Sequence, residues 1–133
     1  PIWGATHGPR SPRVGARFAE GIVTLGAENQ GLETSLPAVR ARRARADEIG
    51  AEEGRDPSTL RRCYFAGWAD EPIFSSVEAA TEIIGRYVEA GATEFIFYLH
   101  NPAEPVLDDF VNAHRAGSRT QFEQLVSEVF PRF

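Results

Sequence analysis

The sequence predicts an α/β protein in which about four βα units wind onto a parallel sheet. Three observations predict it. Apolar runs such as Ile22-Val23-Thr24-Leu25 and Phe95-Ile96-Phe97-Tyr98-Leu99 are continuous rather than alternating, as in strands covered on both faces. Between them lie stretches with helical spacing, of which Val77, Ala80, Ile84, Tyr87 and Val88 are the cleanest. Turn and cap residues mark each change of period, so strand and helix alternate along the chain.

Taken in order, Ile2-Trp3 ends a short strand. Ser11-Pro12 is the N-cap and first helical position of the next helix, because a proline there gives up no needed hydrogen bond. Val14 and Phe18, four apart, form that helix's apolar face, and Gly21 is its stop. Ile22 to Leu25 is the second strand. A polar loop over 26–34 leads to a helix over 35–53 with Leu36, Val39, Ala46 and Ile49 as its stripe, broken by Gly54-Arg55-Asp56-Pro57. The third strand is Cys63-Tyr64-Phe65-Ala66-Gly67-Trp68. A capping box, Ser75-x-x-Glu78, opens the next helix and Gly91 ends it before the fourth strand, 95–99. A second box, Ser118-x-x-Gln121, opens the last helix, which buries Phe122, Leu125, Val126, Val129 and Phe130. Segment 100–117 is an irregular insertion, where Val106, Leu107, Phe110 and Val111 suggest a short amphipathic helix. No repeat or linker divides residues 1–133, so they form a single unit.

The totals narrow the function. A chain of 133 residues, 42% hydrophobic and 25% charged, is that of one soluble globular domain. No apolar run approaches the roughly 20 residues of a membrane span, and no signal peptide opens the chain, so a cytoplasmic location is expected. The single cysteine, Cys63, sits in an apolar run and reads as a buried small hydrophobe. One Cys and three scattered His show no metal-ligand spacing. A net charge of −5 disfavours nucleic acid as partner. Every basic residue is arginine, and the cluster Arg40, Arg42, Arg43, Arg45, followed by Asp47, Glu48, Glu52 and Glu53, reads as a solvated helix face. The chain has no Met, and residue 1 falls where a strand is already under way. A trimmed initiator or a longer parent protein is therefore expected.

Ligands of α/β proteins sit beyond the carboxyl ends of the strands. The stretch GATHGPRSPRVG, residues 4–15, begins at such an end. Gly4 and Gly8 admit close backbone approach, Thr6 offers a hydroxyl, and the amides near His7 and the helix start favour an anion. Arg10 adds a bidentate donor. The stretch is neither a Walker loop nor a complete G-x-G-x-x-G, and the same glycines and prolines also suit a tight turn without a ligand. Other strand ends supply Trp68, which can stack on a flat ring or line the core, and His100, which can serve as an acid–base group or close the strand. A histidine such as His7 is more often a loop residue than a catalytic one, and both readings stand.

These residues resemble the C-terminal half of a luciferase-like flavin monooxygenase, a superfamily that includes deazaflavin-dependent reductases and dehydrogenases. The likeness rests on Pro1-Ile2-Trp3-Gly4-Ala5-Thr6-His7-Gly8-Pro9-Arg10 with Val14 to Gly21, on the Gly54-Arg55-Asp56-Pro57 break, on Ser76-Val77-Glu78-Ala79 through Tyr98, and on the closing stretch Phe122 to Phe133. It spans nearly the whole chain outside 100–117. The resemblance implies a TIM (β/α)8 barrel of which these units are the C-terminal half, so that 1–133 is a partial domain. It also implies an oxidoreductase with a deazaflavin coenzyme or FMN and a small-molecule substrate. Gly4, Ala5, Thr6, Gly8, Pro9 and Arg10 would bind the cofactor phosphate, with Trp68 near the ring and His100 or His7 as acid–base groups. Here Gly4-Ala5-Thr6-His7-Gly8 replaces the commoner G-G-S-G, and Glu20-Gly21-Ile22-Val23 is nearer the D-G-V of deazaflavin enzymes than the D-G-W of flavin ones.

Half a barrel has two unpaired edges and an uncovered inner face. The chain alone is therefore expected to be inactive, and to need an N-terminal half-barrel or a homodimer partner. Two alternatives stand beside the flavoprotein monooxygenase or reductase. One is a non-catalytic flavin-binding or dimer-forming relative, and the other is a non-redox phosphate-ligand α/β enzyme.

Overall fold

A computed structural model describes residues 2–5, 10–25, 36–66, 71–99 and 116–133. Four short strands, β1 (Trp3–Ala5), β2 (Gly21–Leu25), β3 (Arg61–Phe65) and β4 (Glu94–Ile96), form one parallel sheet in the order β1-β2-β3-β4. The register pairs Ala5 with Val23, Val23 with Cys63, and Phe65 with Ile96. The expected fourth strand divides at Phe97: after β4 the chain re-forms as β5 (Tyr98–Leu99), which pairs in parallel with β6 (Ala116–Gly117). The remainder of the expected insertion, including 106–111, lies outside the described residues.

Helices α1 (Ser11–Phe18), α2 (Leu36–Glu52), α3 (Val77–Glu89) and α4 (Arg119–Gln124) connect or follow the strands. After α4 the chain widens to a π-turn, Leu125–Val129, and tightens at Phe130–Arg132. One face of the sheet receives the helices. Gly4 meets α1 closely, a Cβ there lying 3.4 Å from Gly15 Cα and 3.7 Å from Ala19 Cβ. Ile22 packs with Ala46 of α2, and Tyr64, Ala66 and Phe95 pack with Val39, Ala80, Ile83, Ile84, Tyr87, Leu125 and Val129. Among the described residues this larger cluster is the main core. By alternation, Trp3, Arg61, Cys63, Phe65 and Glu94 occupy the opposite face.

The stripes expected for α2 and α3 are those that pack: Val39, Ala46 and Ile49 are buried, as are Ala80, Ile84 and Tyr87. Gly54 (φ 74°) and Gly91 (φ 94°) take the left-handed conformation that ends α2 and α3, where a side chain would be strained. Asp56 accepts from Ser58 N at 2.9 Å and starts the turn that leads into β3.

Several expectations are corrected. Ser11 lies inside α1, with Arg10 before it and Pro12 in the first turn, and Gly21 begins β2 while Ala19 closes α1. The N-cap of α3 is Ser76, whose hydroxyl accepts from Ala79 N at 3.1 Å, so the Ser75–Glu78 box does not form. The third strand ends at Phe65. Val14, Phe18 and Val126 are exposed, at 59%, 65% and 51%. Helical spacing identifies a common face, but a packed neighbour decides whether that face is covered.

The box at Ser118 forms as expected. Gln121 N donates to Ser118 Oγ at 3.2 Å, and Ser118 N donates to Gln121 Oε1 at 2.9 Å. Arg55, in the turn after α2, fastens that turn to the end of α1 by donating to Ala16 O at 3.0 Å and Ala19 O at 2.5 Å. Among the described residues no helix is long and apolar enough to cross a membrane.

Candidate functional site

Because the strands are parallel and consecutive, their carboxyl ends share one side of the sheet, and each covering helix begins on that side. The candidate site is built there. β1 delivers Gly4 and Ala5 to it, with Ala5 exposed. The chain is described again at Arg10, which is exposed and lies at the start of α1.

The three helix starts on this side that are described in full differ in chemistry. Ser76 closes α3 and Ser118 closes α4 with their own side chains. Arg10, in the N-cap position of α1, makes no side-chain cap, and the first turn of α1 carries no acidic residue. Its partial positive charge therefore has no first-turn acid beside it, in contrast to α3, where Glu78 sits in the first turn. Arg13, also in that turn, is taken up elsewhere: it bonds Glu53 at 2.5 Å and Glu52 at 2.9 Å, tying α1 to the end of α2.

Of the residues singled out from sequence, Gly4, Ala5 and Arg10 have described positions, and β1 and α1 bring them to the same side of the sheet. Thr6, His7, Gly8, Pro9, Trp68 and His100 lie outside the described residues. Cys63 is buried on β3, and its environment pushes the thiol up to about 11 through burial first and the Glu94 charge second, with Arg61 opposing. A thiol so held is not a nucleophile near neutral pH. Among the described residues no group of His, Cys, Asp and Glu is arranged to hold a metal ion.

Two polar constellations have no signature in the sequence. On the sheet face away from the helices, Arg61 pairs with Glu94 and reaches Glu20 at 3.4 Å, with its guanidinium 4.8 Å from the centre of the Trp3 ring. On the helix side, Tyr64 and Tyr87 stack with ring centroids 3.6 Å apart, and their hydroxyls donate to the two carboxylate oxygens of Glu71 at 3.1 and 3.0 Å. Arg86 approaches the same carboxylate at 3.8 Å. Burial pushes both phenols well above their ordinary value, and the Glu71 charge acts in the same direction. Both groupings join residues far apart in the chain, beyond the reach of local spacing.

No family model matches the chain, and no curated protein matches it. Among solved structures it is similar to the coenzyme F420-dependent tetrahydromethanopterin reductase of Methanopyrus kandleri, at 11% sequence identity and a TM-score of 0.65. The match covers 100% of this chain and 51% of that one, so the chain spans about half the length of that structure. At this identity the likeness shows the fold: a mixed α/β arrangement with four parallel strands.

Proposed function

We propose that the chain is half of a (β/α)8 barrel in a deazaflavin-dependent oxidoreductase, and that it binds the anionic tail of the cofactor at the carboxyl ends of its strands. One observation carries this reading. The start of α1 has no side-chain cap and no acid in its first turn, and follows β1 on the strand-end side with Arg10 exposed beside it. An anionic group fits such a terminus, since the helix charge favours an anion and Arg10 places an exposed cationic residue at the same helix start. The strand order, which never reverses, supports barrel-type winding over a doubly wound sheet, which has a switch point. The fold likeness to a coenzyme F420-dependent reductase over about half of that protein's length supports both the half-barrel and a deazaflavin over FMN.

When bound, a deazaflavin supplies hydride transfer to or from a small-molecule substrate. The chain's own residues hold and orient it. Arg10 and the first α1 amides take the anionic tail, joined by Gly4, Ala5, Thr6, Gly8 and Pro9 along the β1–α1 connection. His7 and Trp68 follow β1 and β3 of the four-stranded sheet, His100 follows β5, and the three are the candidates for the ring and for proton transfer. On this reading residues 1–133 are one partial domain with an insertion at 100–117, completed by an N-terminal half-barrel.

The test is titration of the full-length protein with coenzyme F420, FMN and inorganic phosphate, monitored by amide shifts over residues 4–13. Saturable shifts with F420 at lower concentration than with FMN are expected. Silence of those amides with all three, or binding of a sugar phosphate instead, overturns the proposal.

A further inference from the structure

The segment after the third strand touches more of the molecule than a connection requires. Glu71 is held by Tyr64 of β3 and Tyr87 of α3. Its own carbonyl accepts from Ile73 N at 2.8 Å, and Pro72 O accepts from both Ser75 N and Ser75 Oγ, so 71–75 is a closed turn. That turn buries Ile73 and Phe74. Phe74 then reaches the last part of the chain in two ways. Its carbonyl accepts from Gln121 Nε2 at 2.8 Å, and its ring fills the space in front of Gly117, where an added Cβ would overlap it. Gln121 is also the residue that closes the capping box of α4. A continuous set of contacts thus runs from β3 through Glu71 and Phe74 to β6 and α4.

We propose that residues 71–74 form a bracket with Glu71 as its positioning residue, coupling the helix-covered face of β3 to Gly117 and the start of α4. Glu71 directly follows residues 67–70, and Ala116 directly follows 100–115. The two points at which the chain returns from the connections after β3 and after β5 are therefore set together. A perturbation at one is felt at the other, and by linkage the effect is reciprocal.

Hydrogen exchange and resonance shifts in the full-length protein test this without any ligand, so failure here is distinguishable from failure of the cofactor reading. Glu71→Gln keeps the size of the side chain and removes the charge that both phenols donate to. The expected result is an exchange rate at the Gly117, Gln121 and Phe122 amides raised about fivefold or more, with the Ala46 and Ile49 amides of α2 unchanged. Tyr87→Phe, which keeps the ring and deletes one donor, gives the same pattern more weakly and serves if the first variant does not fold. In the reverse direction, Gly117→Ala displaces the Phe74 ring and shifts the Tyr64 and Tyr87 ring resonances. Changes confined to residues 64, 71, 86 and 87, or a uniform rise that includes α2, overturn the bracket and leave only a general contribution to stability.

Discussion

The indole of Trp3 lies across Gly21 of the neighbouring strand, in the space that a side chain at Gly21 would occupy. β1 and β2 approach as they do because one residue is the largest available and the other has no side chain. Gly21→Ala forces the ring aside and disturbs the Arg61 guanidinium above it. Overpacking of this kind costs about 1–3 kcal/mol. Urea unfolding in a Trp68→Phe background, read by Trp3 fluorescence, is expected to show a lower midpoint and a changed native spectrum. An unaltered midpoint would contradict the packing described.

Cys63 is expected to make stability fall as pH rises above the ordinary thiol value. Its thiol is held near 11 in the folded protein and lies near 8.5–9 when unfolded. Between those values the unfolded chain releases a proton that the folded chain retains. Stability is therefore intact below the unfolded value and is lost as pH climbs through 11, by about 3 kcal/mol in all. Cys63→Ala is expected to flatten this decline without abolishing it, because the raised phenols of Tyr64 and Tyr87 act in the same direction. Near pH 8 the native thiol should react with a disulfide reagent only on unfolding.

Val14 and Phe18 point away from the core, with Ile2 also exposed on the β1 side of the sheet. Val14→Ser with Phe18→Ser is expected to change the stability of residues 1–133 by less than about 1 kcal/mol, since both side chains are exposed and the Phe18 ring meets the Arg17 guanidinium, 5.4 Å from its centre. In the full-length protein the half-barrel proposal expects a larger loss, because the same face then has a covering unit. Chemical denaturation of both proteins compares the two values, and equal small effects would count against that covering.

Arg10→Gln removes a cation from the α1 start and leaves the fold intact, since the side chain is exposed. Affinity for an anionic cofactor is expected to drop about tenfold and to become less salt-dependent, as loss of one charge-assisted bond implies. Calorimetric titration at two salt concentrations measures both. Undiminished affinity would place the anion elsewhere.

The alternation of strand and helix, the buried stripes of α2 and α3, the stops at Gly54 and Gly91 and the Ser118 capping box are all legible in the sequence. Each depends on residues within about one helical turn or one tight turn, where side-chain spacing and backbone sterics act directly. The shift of the α3 cap from Ser75 to Ser76 is a choice between adjacent hydroxyls, settled when Ile73 and Phe74 are buried and the turn closes on Pro72 O. At the candidate site, the glycines and Arg10 are visible as residue types suited to an anion. That the α1 start carries no side-chain cap becomes visible only with the helix in place.

By itself, the sequence determined that this is a parallel α/β chain and which helix faces are apolar, because those properties follow from local period and hydrophobicity. The tertiary structure alone decided that Val14, Phe18 and Val126 remain exposed, that Trp3 covers Gly21, and that Glu71 joins Tyr64 to Tyr87. In a parallel sheet every neighbouring strand arrives by a crossover, so partners come from distant parts of the chain and are chosen by how the helices pack on the sheet rather than by any spacing along the sequence.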